Sequence, residues 1–178
     1  LALLSAGSHA YEGADKPGDE YQAFGIYGQT APRPDEAEAI PTELPLKLKP
    51  GERIALIGNT LLERSQEFGQ FEAMLQQRFA GHKLVVRHLA WSADQIDLQP
   101  RPDNFADTEQ HLTHERADVI LAAFGFNESF AGPAGLNEFR TKLTEYVRGL
   151  KIKAFNGRTA ARIVLISPIA NENVRGVA

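Results

Sequence analysis

The chain alternates between two kinds of hydrophobic pattern. Short continuous apolar runs occur at Arg53–Ile57, Lys83–Trp91 ("KLVVRHLAW"), Ala117–Phe126 ("ADVILAAFGF") and Ala161–Pro168 ("ARIVLISP"). Runs of that length bounded by turn residues predict strands, and the third is apolar enough for a strand covered on both faces. Between them the apolar residues recur at helical spacing. Leu61, Leu62, Phe68, Phe71, Leu75 and Phe79 predict one amphipathic helix from Leu61 to Phe79. Two further helices are predicted over Phe105–Glu115 and Leu136–Leu150. Strands alternating with helices imply a parallel sheet with helices on both faces, a three-layer α/β fold.

The first fifty residues follow neither pattern. Residues 1–10, "LALLSAGSHA", resemble the end of a secretory signal, with Ser8-His9-Ala10 as a small-x-small cleavage site. A secreted or periplasmic location follows as an expectation. Residues 11–50 hold Pro17, Pro32, Pro34, Pro41, Pro45 and Pro50, six of the ten prolines, and read as a linker arm that packs poorly. Its few apolar anchors are Tyr21, Phe24, Ile26 and Tyr27. Leu44–Lys49, "LPLKLK", alternates and allows a short edge strand. The domain proper is expected over residues 51–178. Strand four is followed by no helix and no further strand, so the domain reads as truncated at its C-terminus.

Composition adds mainly exclusions. The chain has 178 residues, a net charge of -4 and no cysteine. Disulfides, thiolate metal sites and cysteine nucleophiles are excluded. No basic patch marks a nucleic-acid surface. No apolar run reaches the ~20 residues of a membrane span. Nothing implies a cofactor. His111-x-x-His114 matches no metalloenzyme spacing and reads as a solvated helix face, so no metal is expected.

The chemistry-bearing residues gather at strand ends. Gly58-Asn59-Thr60 follows strand one, Trp91-Ser92-Ala93-Asp94 strand two, Gly125-Phe126-Asn127-Glu128 strand three, and Ser167-Pro168 strand four. In a parallel sheet these corners share the carboxyl edge, where open α/β folds bind ligands. Taken singly, each corner is a turn or helix cap, with Thr60 as the expected N-cap.

In order and spacing the corners resemble the blocks of the SGNH, or GDSL-type, hydrolases. "LIGNT" corresponds to the G-D-S block, "AWSAD" to the block with the oxyanion glycine, and "GFNES" to G-x-N-D. More narrowly, "GNTLLER", "FGFNESFAG" and "PRPDNFADTEQHLTH" look like an SGNH-like N-terminal module of large secreted bacterial proteins that carry propeller-like and haem-binding regions. The resemblance covers residues 51–178. It implies a flavodoxin-like sheet and puts Thr60 at the nucleophile position. It puts Ala93 and Asn127 at the oxyanion hole, with Gly58, Asn59, Ser92, Gly125 and Glu128 as binding positions. It also implies an ester or acylated-carbohydrate ligand and further domains in the full-length protein.

Three departures weigh against hydrolysis. Threonine replaces serine, and its methyl crowds attack. Alanine replaces the glycine. No histidine occupies the base position, which would fall after Ala178. Glu128 is a weak base at best and is expected to bond the corner loops. The alternative reading is a non-catalytic ligand- or glycan-binding module on the same fold. A third is a plain interaction domain.

Overall fold

The computed structural model describes residues 27–169. The signal reading of residues 1–10 and the anchors Tyr21, Phe24 and Ile26 lie outside the described residues. In chain order the elements are β1 (Asp35–Glu36), β2 (Arg53–Gly58), α1 (Thr60–Phe68), α2 (Gln70–Arg78), β3 (Val85–His88), α3 (Thr108–His114), β4 (Val119–Ala123), α4 (Leu136–Lys151), β5 (Lys153–Ala154) and β6 (Arg162–Leu165). Two 3-10 turns, Glu128–Ala131 and Pro133–Gly135, lead from β4 to α4. Among the described residues no helix is long and apolar enough to cross a membrane.

β2, β3, β4 and β6 make one sheet in the order β3-β2-β4-β6, and every neighbouring pair is parallel. Because side chains alternate across a strand, each central strand feeds two cores. Ile54, Leu56, Val119 and Ala123 pack with Leu62 of α1 and the half-buried Leu75 of α2. Ala55, Ile57, Ile120 and Ala122 face the other way, onto Leu112 of α3 and Leu150 of α4. Phe139, Leu143 and Tyr146 extend the α4 stripe. The chain is an α/β protein with helices on both faces of a parallel sheet.

Several local expectations are corrected. The Leu61–Phe79 segment is two helices, because Gly69 adopts φ 61° and caps α1 with its N–H on the Ser65 carbonyl. That left-handed residue shifts the helical phase, so Phe68 and Phe71 are exposed rather than core. Three strands are shorter than their apolar runs, since pairing ends where the neighbour does. Gly58 opposite Ala123 is the last pair of the central ladder. Leu44–Lys49 joins no sheet, although Leu46 and Leu48 pack on the core. β1 pairs instead with β5, antiparallel.

The described part of the arm, residues 27–50, is docked rather than loose. Tyr27 bridges Phe105. Gln110, 2% exposed on α3, donates from Nε2 to the carbonyls of Gly28 at 2.8 Å and Ala31 at 3.1 Å. The same glutamine completes a capping box with Asp107. A buried amide with its donors satisfied by the arm compensates for the arm's lack of apolar residues.

Candidate functional site

The site begins where β2 ends. Gly58 has φ 118°, and a Cβ there would lie 2.1 Å from the Ala123 carbonyl oxygen. Only glycine lets β2 turn this close to β4. The next N–H, from Asn59, donates to the same Ala123 carbonyl at 3.1 Å. Asn59 is extended and 3% exposed, and its Oδ1 accepts from the Leu61 N–H at 3.4 Å. Asn59 is therefore the N-cap, and the expected cap, Thr60, is already the first helical residue. The tight Gly58 turn sets the cap one residue early. Thr60 is half-buried. Its hydroxyl has no capping duty.

The other corners are tied to this one. After β3, the Trp91 N–H donates to the Gly58 carbonyl at 3.0 Å. Ser92 Oγ donates to Glu63 Oε2 of α1 at 2.8 Å. Ala93 has φ 66°, a left-handed conformation unusual for a residue with a Cβ. After β4, Gly125 turns with φ 110° against the Phe139 ring. Asn127 Nδ2 donates to the Ala93 carbonyl at 2.7 Å. Glu128 accepts from the Ile96 and Gly125 N–H groups, each at 3.0 Å. Both its oxygens are thus committed to the loops. Among the described residues, the Thr60 and Ala93 N–H groups have no backbone acceptor.

One contact in this cluster was not legible in advance. Asp94 is 3% exposed and accepts two bonds from Arg101, at 2.8 and 2.7 Å. The guanidinium lies 4.4 Å from the Trp91 ring centroid. This clamp fixes both ends of the Trp91–Asp94 corner.

Beside Thr60 lies a cavity of about 470 Å³. One wall is α1, with Leu61, Arg64, Ser65 and Phe68. The opposite wall is Ala123, Phe124 and Phe126 after β4, closed by Pro168 and Ile169 after β6. Asn59 and Thr60 form its polar end. Asn127 and Glu128 line a separate hollow of about 200 Å³, with Asp97 and Lys142. The Lys142 ammonium bonded to Asp97 holds that carboxyl below its usual range. The first three expected corners thus lie in one laced set of loops, but Thr60 and Asn127 open onto different hollows. The cavity walls Arg64, Phe68 and Phe126 were missed as site residues. Phe68 reads equally well as core within the helical apolar stripe, Arg64 as a solvated helix residue, and Phe126 as the end of an apolar strand.

No histidine lines the Thr60 cavity among the described residues. His82 sits at the opposite edge, its carbonyl accepting from the Gly51 N–H before β2. His88 Nε2 lies 3.8 Å from Glu72. His111 stacks on Phe105 with centroids 5.1 Å apart. No protein-family model matches the chain, and no curated protein matches it.

Proposed function

We propose that the chain is an SGNH-type, ester hydrolase-like domain that receives an ester at the carboxyl edge of its sheet. Thr60 stands at the nucleophile position. The strand order, with helices on both faces, supports a flavodoxin-like sheet of that type. The observation that carries the reading is the division of labour at the first corner. Asn59 caps α1, leaving the Thr60 hydroxyl beside an open cavity. The Thr60 N–H, which has no backbone acceptor among the described residues, is the oxyanion donor at the cavity, and the Ala93 N–H, whose turn Asn127 braces through the Ala93 carbonyl, is the second donor that the resemblance assigns.

The second reading, a binding module without turnover, is favoured because no histidine among the described residues lines the cavity. A general base contributes ~10²–10⁴-fold, so the 178-residue chain should hydrolyse a short aryl ester at no more than background rate. Imidazole added to the solution supplies the missing base. Its rate enhancement should then exceed that of buffered imidazole alone, vanish in Thr60→Ala, and persist or rise in Thr60→Ser. Equal rescue in Thr60→Ala would remove Thr60 from the chemistry and leave the binding module.

A further inference from the structure

We infer that the ligand carries a single long apolar chain, so that the site takes a fatty-acyl group rather than an acetyl group or a bare sugar. This rests on reading Thr60 as the residue that meets the ester. Leu61, Arg64, Ser65 and Phe68 are spaced to lie along one stripe of α1. From Thr60 to Phe68 the helix rises about 12 Å, at ~1.5 Å per residue. The cavity is therefore a trough along a helix, with its polar end at Thr60.

Its polar groups are few, and some are already satisfied. Asn59 Oδ1 accepts from the Leu61 N–H. Ser65 Oγ donates to the Leu62 carbonyl at 2.6 Å. What remains is the Thr60 hydroxyl and N–H, the Asn59 side-chain NH2 and the Arg64 guanidinium, which forms no ion pair among the described residues. A sugar would bury several hydroxyls here without partners, at a cost for each. An alkyl chain needs none. Phe68 is 72% exposed, Phe126 49% and Ile169 73%, a set of large apolar side chains around one opening. Arg64 complements a carboxylate or other anionic head at the rim.

The test is calorimetric titration of the 178-residue protein with saturated carboxylates from acetate to dodecanoate, kept below their micelle concentrations, and with glucose. Glucose and acetate should not bind. Affinity should rise about fourfold per added methylene, the equivalent of ~0.8 kcal/mol, and level off once the trough is full. Phe68→Gln and Phe126→Gln should weaken the longest ligand at least tenfold without moving the unfolding midpoint. Arg64→Gln should weaken carboxylates and spare the matching methyl esters. Phe71→Gln and Met74→Gln, on the separate apolar patch of α2, should change nothing.

A flat chain-length series would overturn the inference, as would loss of binding only in the α2 variants. A dimer dissociated by Phe68→Gln with no chain binding would also overturn it, showing a face between copies instead. Binding is read without turnover, so the two readings fail separately. A steep series with no imidazole rescue keeps the acyl trough and removes the Thr60 chemistry. Rescue with a flat series does the reverse.

Discussion

Replacing Arg101 by methionine should be among the most damaging single changes outside the sheet. The side chains of Arg101 and Asp94 are only 9% and 4% exposed. Methionine keeps most of the stem's volume but leaves the Asp94 carboxylate buried without its partner. Breaking one side of a buried pair costs ~3–5 kcal/mol, against ~0–1 kcal/mol for a surface pair. At ~2–4 °C per kcal/mol for a domain of this size, the melting midpoint should fall by about 6–20 °C. Arg101→Lys should recover only part of the loss, because an ammonium provides neither the two-pronged bond nor the flat stack on Trp91. The double variant Asp94→Leu/Arg101→Met removes both charges and should be more stable than Arg101→Met alone. Urea unfolding of the wild type, Arg101→Met, Asp94→Leu and the double variant closes the cycle. If Arg101→Met costs under ~1 kcal/mol, or the two single losses simply add, the pair is not the buried clamp described here.

Four further outcomes are expected. Burial first, then His114 and Arg101, hold His111 below the ordinary imidazole value of 6.5, against the weaker pull of Asp107 and Glu115. The unfolded chain therefore takes up this proton before the folded one. The stability contributed is complete above pH 6.5 and is lost as pH falls, so melts between pH 8 and 5 should slope downward and His111→Phe should flatten them. Ala93→Gly should be neutral to stabilising by up to ~1 kcal/mol, relieving the left-handed strain at the cost of glycine's freedom, while Ala93→Val should lower the urea midpoint. Asn59→Ala should cost ~0.5–2 kcal/mol in urea unfolding as a lost cap, and Thr60→Ala less than either limit. Deleting residues 1–37 takes both arm acceptors from the Gln110 amide, a loss of ~1–3 kcal/mol that calorimetry should register as a fall of several degrees.

The fold class was legible because the strands are buried on both faces. Ile54–Ile57 and Val119–Ala123 read as unbroken apolar runs for that reason. Gly69 was not legible as a break, because Leu61 to Phe79 keeps an acceptable helical period straight through it. The cap at Asn59 rather than Thr60 was also hidden. Both residues cap well, and the choice is made by the Ala123 carbonyl, 64 positions away in the chain, which fixes where β2 turns. The docked arm was missed for a related reason. Its attachment runs through backbone carbonyls to Gln110, and carbonyls carry no sequence signal. The polar corners could be found because each is local. The cavity could not, since its walls come from α1 and from the segments after β4 and β6.

The position of that cavity follows from the order of the strands. From β2 the chain passes through α1 and α2 on one face to β3, then crosses to the other side of β2 through α3 to form β4. Connections leaving β2 and β4 therefore diverge, and a crevice opens at their carboxyl ends. Gly58 narrows its floor by letting β2 turn against the Ala123 carbonyl. Any residue at position 60 then starts a helix at the crevice mouth, with the helix's free N–H groups directed at whatever lies there. Asn59 takes the capping role and withdraws into the protein. The hydroxyl left beside the crevice is that of Thr60, which is why the first corner, rather than the Asn127 corner, carries the functional reading.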